Sequence, residues 1–175
     1  GLDHFAKNDD ELSIALMNRK LHRNFQGYCT RETTGQVYAF GATGISQLES
    51  AYAQNEKDPY KYTDIIMNDT FATHKGYKVN TDEKIIRHII TEIMCNEYVS
   101  LSDSAITFNL TPEKLKNAIK YNRTEFEEFV QDGLLEIDNE MIFKVTEKGR
   151  FFIRNIASKF DPQYKNGAGR FSKSL

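Results

Sequence analysis

The sequence predicts an α+β protein that is mostly helical, and three patterns support this class. Residues 80–96 carry two rows of apolar side chains spaced by four, which form one wide buried stripe on a helix: Ile85, Ile89 and Ile93, then Ile86, Ile90 and Met94. Helical patterns also cover residues 59–67 and 102–132. The clearest strand patterns are short and lie in residues 36–54 and 134–145. Small sheets are therefore expected beside a larger helical part.

Composition limits the classes of partner. The 175-residue chain has a net charge of −2 from 23 basic and 25 acidic side chains, and the two signs are interspersed. Nucleic-acid and membrane surfaces normally attract a basic excess, so neither is expected as a partner. No apolar run approaches the roughly 20 residues of a membrane span, and the acidic N-terminal segment is unlike a secretory signal. A cytoplasmic protein with no membrane span is therefore expected.

The N-terminal segment predicts one strand and one helix. Residues 2–6 have a strand-like pattern. The run Asn8-Asp9-Asp10-Glu11 resembles a capping box, with acids at the positive end of a helix. We therefore expect a helix that continues to about Lys20.

The next stretch has an unusual composition for either a loop or a core strand. The run His22-Arg23-Asn24-Phe25-Gln26-Gly27-Tyr28 places cationic, amide and aromatic side chains around one glycine, without a period of 2 or 3.6. Such a mixture suits a wall where polar groups meet a ligand. The sequence therefore predicts a ligand-binding surface here.

Two glycines three apart follow a strand pattern. Residues 31–35 predict a turn, residues 36–40 a strand and residues 45–54 a hairpin. Gly41 and Gly44 allow either a tight turn, which is the simpler explanation, or the close approach of a bulky ligand to the backbone. The glycine spacing alone leaves both interpretations open.

A polar interruption at residues 55–59 indicates a domain boundary, which we place at residue 56. Pro59 then opens a helix that ends at about Met67, and residues 69–77 predict a loop and a surface turn. The run Asn80-Thr81-Asp82-Glu83 is a capping box for the helix with the isoleucine rows. Cys95, at the end of that helix, is expected in the core.

The last part of the chain alternates helices with one hairpin. The predicted elements are, in order, helices at residues 102–108 and 112–132, a hairpin of residues 134–137 with 141–145, and a last helix capped by Thr146. This order resembles a winged helix at about residues 98–160. A DNA-reading helix should be basic, but residues 112–132 carry four basic and five acidic side chains. We expect the pattern to serve packing, with DNA binding as the less favoured alternative.

The sequence contains two cysteines, Cys29 and Cys95. A disulfide between them is not expected, because the chain has no secretory feature. Two thiolates are also too few to hold a [4Fe–4S] cluster. We therefore expect no metal ligands in this chain.

Several runs, in order along nearly the whole chain, carry a family resemblance. They are Asp3-His4-Phe5-Ala6, Asp9-Asp10-Glu11-Leu12, the run from Lys20 to Tyr28, Phe40-Gly41, Gly44-Ile45-Ser46, Tyr52-Ala53-Gln54-Asn55, Gly149-Arg150, Ile153-Arg154-Asn155-Ile156, Phe160-Asp161 and Phe171-Ser172. Together they resemble the C-terminal part of oxygen-independent coproporphyrinogen III oxidase, a radical S-adenosylmethionine (SAM) dehydrogenase family of haem biosynthesis. The combination is specific, although no single run is.

The resemblance implies both a fold and a reaction. Residues 1–56 would form the C-terminal edge of a partial α/β barrel, and residues 57–175 would form a helical domain that covers its cavity. The whole enzyme would convert two propionates of coproporphyrinogen III into vinyl groups, giving protoporphyrinogen IX, with SAM and a [4Fe–4S] cluster as cofactors. An external electron donor and acceptor would be further partners.

The resemblance also implies where the chemistry lies. The cluster ligands would belong to an upstream radical SAM domain of the same polypeptide. This chain would then be a fragment that holds no catalytic residue, and it would be inactive in isolation.

Candidate site residues follow from matching positions in the family. Ile45, with its neighbour Gly44, matches a position that contacts SAM. Phe25 and Gln26 match a motif near the cofactor. By charge alone, and not by a family match, His22 and Arg23 are candidates to bind a propionate, and Tyr28 is a further candidate for substrate binding.

One alternative within the same superfamily is a non-catalytic relative that binds haem or a porphyrin. The run Asn24-Phe25-Gln26-Gly27-Tyr28 looks more like the oxidase branch than like such relatives. Cys29 is a mild departure, because a small polar residue such as threonine is expected there.

Overall fold

The computed structural model describes residues 5–24, 27–30 and 36–165 of the chain. Within these residues helices cover more of the chain than strands do, and the sheets are small. The predicted α+β class is therefore confirmed. No helix in the described part of the chain is long and apolar enough to span a bilayer.

The helices and the strands are numbered separately, each in chain order. The helices are α1 (Glu11–Met17), α2 (Pro59–Met67), α3 (Thr81–Asn96), α4 (Leu101–Thr107), α5 (Pro112–Ala118), α6 (Glu127–Gln131), α7 (Ile153–Ser158) and α8 (Pro162–Lys165), with 3-10 turns at Arg123–Phe126 and Gly149–Phe152. The strands are β1 (Leu21–Asn24), β2 (Gly27–Thr30), β3 (Ile45–Gln47), β4 (Ala51–Asn55), β5 (Thr73–Lys78), β6 (Tyr98–Ser100), β7 (Leu135–Ile137) and β8 (Ile142–Val145). Helix α2 has the bounds that the sequence predicts.

Helix α3 is the element against which most others pack. The predicted capping box is confirmed: the Glu83 N–H donates to Asn80 Oδ1, and the Asn80 N–H donates to Glu83 Oε2, both at 2.9 Å. The first isoleucine row is fully buried, the second row is partly buried, and Cys95 is buried as predicted. Because α3 contacts β1, β6, β8, α4, α5 and α7, it connects the N-terminal hairpin to the C-terminal core.

The described strands form three small antiparallel sheets, with strand orders β1-β2, β3-β4-β5 and β6-β8-β7. The hairpins predicted at residues 45–54 and 134–145 are confirmed as β3–β4 and β7–β8. Strand β4 also pairs with β5, which lies beyond residue 56. The domain division at residue 56 stays a prediction.

Three phenylalanines that contact one another form the centre of the C-terminal core. Phe126, Phe143 and Phe160 are buried, and their ring centroids lie 4.9–5.3 Å apart. The last predicted helix does bury Ile156 and Phe160, but Phe152 of the same row is 47% exposed. The reason is that Phe152 ends a 3-10 turn, whose tighter winding moves its side chain off the row.

The long helix predicted over residues 112–132 is wrong, since the chain there divides into three segments. Helix α5 ends at Ala118, and Lys120 takes a left-handed φ of 47°. A new turn then starts at Asn122, whose Oδ1 accepts from the N–H of Thr124 at 3.1 Å. Side chains that bind nearby backbone in this way compete with helix continuation, and this explains the break.

Two other predictions in the middle of the chain are also wrong. Residues 36–40 form no strand, because only Val37 bridges to Gln47, and Tyr38 and Phe40 are exposed. The predicted loop at residues 69–77 contains most of β5. All six β5 residues are exposed, so the alternation of burial that marks a strand in sequence is missing.

The N-terminal predictions are corrected in part. No capping box precedes α1; Asp10 is the N-cap, and its carboxylate accepts from the Leu12 N–H at 2.9 Å. The helix ends at Met17, short of Lys20. Phe5 and Ala6 are not in a strand, while the rest of the strand predicted at residues 2–6 and the turn predicted at 31–35 lie outside the described residues.

The substitution Gly149→Ala should destabilise the C-terminal core. A Cβ at this position would lie 1.9 Å from the carbonyl oxygen of Leu134, which is backbone and cannot move aside alone. Overpacking typically costs about 1–3 kcal/mol, so the free energy of unfolding should fall by about 2 kcal/mol or more in chemical denaturation. Gly76→Ala is the matched control, because its Cβ would meet only the Tyr52 carbonyl oxygen at 3.7 Å. Equal losses in the two variants would contradict the prediction.

The contact between Tyr77 and Glu83 should make stability depend on pH. The Tyr77 hydroxyl donates to Glu83, which lowers the pKa of Glu83 below its ordinary 4.5, with the Asn80 N–H as a second cause. The same contact raises the pKa of Tyr77 above its ordinary 10.0. A lowered carboxyl pKa gives stability that is lost as pH falls through the folded-state value, and a raised tyrosine pKa gives stability that is lost as pH rises through it.

Tyr77→Phe should therefore lower the Tm slightly at neutral pH. The difference from the wild type should shrink in acid below about pH 4 and in base above about pH 10. Thermal melts across this range measure it. Tyr60→Phe, at a strongly exposed tyrosine, is the control and should shift the Tm equally little at every pH. A Tyr77→Phe shift that is constant with pH would refute the assignment.

Candidate functional site

The hairpin of β1 and β2 carries the three residues predicted to bind substrate. Its register pairs Arg23 with Tyr28 and His22 with Cys29. The Arg23 guanidinium carbon lies 5.3 Å from the centroid of the Tyr28 ring, within the range of a cation–π contact. Because successive strand residues point to opposite faces, His22 lies on the other face of the hairpin. The structure therefore brings Arg23 and Tyr28 together and separates His22 from them.

Polar contacts from the end of α3 hold this hairpin in place. The N–H of Leu21 donates to Oδ1 of Asn96 at 3.1 Å, and Asn96 is only 5% exposed. The guanidinium of Arg19 lies 3.7 Å from the centroid of the Tyr98 ring. These contacts fix the strand that leads into Arg23.

The other two residues of this motif, Phe25 and Gln26, lie outside the described residues. On either side of them, the Gly27 N–H donates to Oδ1 of Asn24 at 3.2 Å.

Burial raises the pKa of the Cys29 thiol above its ordinary value. The thiol is therefore a neutral group at physiological pH rather than a charged ligand.

A cleft of about 330 Å³ opens beside Arg23, between the hairpin, α3 and the C-terminal helices. Its lining residues are Arg23, Ile90, Met94, Arg154, Ala157, Ser158, Asp161 and Tyr164. Apolar side chains from α3 and two arginines face the same space. Sequence reasoning missed the second arginine, although it lies in the Ile153-Arg154-Asn155-Ile156 run that carries the family resemblance.

A tightly bonded loop precedes Ile45. Gly41 has a φ of 93° and Thr43 a φ of 64°, so the backbone turns through the left-handed region twice. The Asn55 side-chain amide donates to the carbonyl oxygens of Gly41 at 3.0 Å and Ala39 at 3.3 Å. The Gly41 N–H donates to the Tyr62 hydroxyl at 2.9 Å. Asn55 and Tyr62 thus hold the loop, and their roles were not predicted from the sequence.

The loop packs tightly around Gly44. A Cβ there would lie 3.1 Å from both the Gly41 carbonyl oxygen and the Ala39 Cβ. The turn therefore favours a small residue at Gly44, and its contact with a cofactor stays a prediction.

Ile45 begins β3, which is an edge strand of its sheet. Gln47 exchanges both backbone hydrogen bonds with Val37 on the outer side of this strand. Backbone direction alternates along a strand, so the N–H and C=O of Ile45 point to the same outer side. Outside the strand ladder, no described residue bonds to these two groups. Ile45 therefore offers a backbone donor and acceptor on the side of β3 that Val37 bridges at Gln47.

Arg87 connects this sheet to α3. Its guanidinium donates to the Glu49 carbonyl oxygen at 2.8 Å and to the Tyr52 hydroxyl at 3.3 Å. The sheet that carries Ile45 and the hairpin that carries Arg23 are therefore both attached to the same helix. In this way α3 positions the two candidate regions.

Comparison with solved structures identifies the class of fold. The chain is similar to a coproporphyrinogen III oxidase from Escherichia coli that is described as a radical SAM enzyme, with a TM-score of 0.82 and 34% identity. The similarity covers 93% of this chain and 36% of the E. coli chain. The fold is thus that of a portion of a radical SAM enzyme.

Curated relatives that match the chain share one name. Oxygen-independent coproporphyrinogen III oxidases from Synechocystis sp. and Thermostichus vulcanus are 36% and 37% identical to this chain over its whole length. The E. coli oxidase is 33% identical over 96% of the chain. Over its whole length the chain is thus similar to part of longer proteins named oxygen-independent coproporphyrinogen III oxidase. It spans 38%, 53% and 36% of the lengths of these three relatives. No protein-family model matches the chain.

Asn55→Ala should loosen the loop before Ile45. The change leaves the carbonyl oxygens of Ala39 and Gly41 without their amide donor. A hydrogen bond contributes about 0.5–1.5 kcal/mol, so the free energy of unfolding should fall by about 1–2 kcal/mol. Chemical denaturation, with amide hydrogen exchange at Gly44, measures the effect.

Two further variants sharpen this test. Asn55→Asp keeps the shape of the side chain but directs a negatively charged acceptor at two carbonyl oxygens. It should therefore lower the free energy of unfolding at least as much as Asn55→Ala does. Gln54→Ala is the control, because that amide makes only a 3.5 Å contact to the Thr43 carbonyl oxygen. If the Asn55→Asp variant is as stable as the wild type, the amide does not have the role assigned to it.

Proposed function

We propose that the chain is the C-terminal part of an oxygen-independent coproporphyrinogen III oxidase that converts two propionates of its substrate into vinyl groups. The observation that carries this proposal is the match, over the whole chain, to curated relatives of that name. The product would be protoporphyrinogen IX. For each propionate the reaction removes one hydrogen atom, and loss of CO₂ and one electron then leaves the vinyl group.

Residues 1–56 would complete the edge of a partial α/β barrel, and residues 57–175 would cover its cavity. Within residues 57–175, Tyr60 and Phe71 are 87% and 97% exposed and would be available for contact with the barrel. The proposed partner is the upstream radical SAM domain of the same polypeptide.

The outer backbone groups of Ile45 are the proposed contact for SAM. The adenine of SAM has neighbouring donor and acceptor groups, which the N–H and C=O of Ile45 can satisfy together. Gly44 keeps the preceding turn compact, and Phe25 and Gln26 are proposed to lie near the same cofactor. The residues present thus fit the nucleoside part of SAM.

The bound SAM and [4Fe–4S] cluster would supply the radical chemistry, with the cluster ligands outside this chain. The residues of this chain would bind and enclose the substrate. Arg23, beside Tyr28, would hold a propionate carboxylate by charge-assisted hydrogen bonds. His22 remains a proposed substrate contact, but on the opposite face of the hairpin. An external electron donor and an external acceptor would complete the reaction.

The C-terminal half is proposed to be a winged-helix-like module that packs rather than reads DNA. The three-stranded sheet β6-β8-β7 and the helices around it support the likeness. The acidic excess over residues 112–132 disfavours contact with phosphates. Packing against the barrel is therefore the preferred use.

The proposal is tested on the full-length protein that contains this chain. Purified anaerobically with its cluster restored, it should convert coproporphyrinogen III to protoporphyrinogen IX, whereas the isolated chain should not. Ile45→Asp should raise the Kd for SAM at least tenfold, because a negative charge would replace the apolar side chain beside the nucleoside. Lys116→Ala, at an exposed ion pair with Glu113, is the control and should leave it unchanged. If the Ile45→Asp and Lys116→Ala variants bind SAM with the same Kd, Ile45 is not part of the site. A full-length protein that forms no vinyl product would refute the proposed function.

A further inference from the structure

Two arginines, Arg23 and Arg154, line the cleft beside the hairpin. In residues 5–24, 27–30 and 36–165, neither of them forms an ion pair within 4.0 Å with a carboxylate. Arg23 contacts the face of the Tyr28 ring, which leaves the N–H groups in the plane of its guanidinium free to donate. Both guanidiniums are therefore available to an anion.

Other arginines of the same region are already committed. Arg87 donates to the carbonyl oxygens of Leu48 and Glu49 and to a tyrosine hydroxyl. Arg150 forms an ion pair with Glu97 at 2.8 Å. Arg23 and Arg154, by contrast, both line one cleft although they lie far apart in the sequence.

The shape and lining of the cleft suit an amphipathic ligand. Its volume of about 330 Å³ is within the range of small-molecule sites. Ile90 and Met94 from the partly buried row of α3, with Ala157 from α7, supply an apolar floor. The cleft is open, so a ligand larger than this volume can place one edge in it.

The charge of the lining favours a single carboxylate. Asp161 is the acidic residue among the lining side chains, and its Oδ1 accepts from the N–H of Gln163 at 2.8 Å at the start of α8. Two positive charges and one negative charge leave the lining with a net charge of +1. Tyr164, which is 50% exposed, adds a hydroxyl at the same rim.

We propose that Arg23 and Arg154 bind together one propionate carboxylate of the tetrapyrrole, with its pyrrole ring on Ile90 and Met94. The proposal rests on the proposed function, and it adds Arg154 and the floor of the cleft to the substrate site. Arg23 stands two residues before Phe25 in the sequence. A propionate at Arg23 is therefore close to the motif proposed to lie near the cofactor.

The test measures binding of coproporphyrin III, the stable fluorescent oxidised form of the substrate, to the full-length protein. Arg23→Ala and Arg154→Ala should each raise its Kd at least tenfold, because each removes a charged donor to the carboxylate. Arg154→Lys should fall between the wild type and Arg154→Ala, since an ammonium keeps the charge but not the fork of donors. Arg123→Ala, at an exposed arginine in a 3-10 turn, is the matched control and should bind like the wild type.

Melting temperatures of the same variants separate a ligand from a protein carboxylate. We expect a small change in Tm without ligand and a large change in Kd. If both arginine variants lower the Tm and keep the wild-type Kd, the cleft holds a carboxylate of the protein's own chain, and the inference is wrong. A wild type that does not bind coproporphyrin III also overturns it.

The outcomes distinguish this inference from the proposed function. Conversion of coproporphyrinogen III with unchanged Kd and KM in both arginine variants overturns the inference and leaves the function standing. Binding that depends on both arginines, in a protein that forms no vinyl product, supports the inference and overturns the function.

Discussion

Burial of one isoleucine row on α3 is the constraint on which the other parts of the structure depend. Ile85, Ile89 and Ile93 are completely enclosed, and each contributes roughly 1.5–3 kcal/mol relative to an exposed side chain. The N-terminal hairpin has only a small apolar cluster around Leu21 and Cys95. Apolar packing therefore fixes the position of α3. Polar contacts to α3 then position the hairpin that carries Arg23 and the sheet that carries Ile45.

Elements with strong local signals could be predicted from the sequence. The capping box of α3 and its two apolar rows determine the helix within a few residues. Strand β5 could not be predicted, because all its residues are exposed and its pairing with β4 is a long-range contact. The break at Asn122 was missed because a single side-chain hydrogen bond overrides a favourable apolar period.

The candidate site was predictable only where residue type carried the signal. Arg23 and Tyr28 stood out by composition, and the hairpin register brings them into contact. His22 has the same compositional signal, but strand alternation sends it to the other face. The roles of Asn55 and Arg154 depend on the tertiary fold and so could not be predicted. Asn55 bonds to a loop that precedes it in the chain, and Arg154 lines a cleft formed by distant segments.

The outer side of β3 at Ile45 bears on self-association of the protein. Edge strands present free backbone groups to other chains, and natural proteins often protect them with charged residues. At the opposite edge of the same sheet β5 carries Lys75 and Lys78, whereas Ile45, Ser46 and Gln47 are uncharged. Val37 already occupies the outer side of β3 at Gln47, so among the three β3 residues Ile45 alone keeps outer backbone groups without a described partner. Strand addition at this edge should therefore be weak, although the edge carries no charged residue.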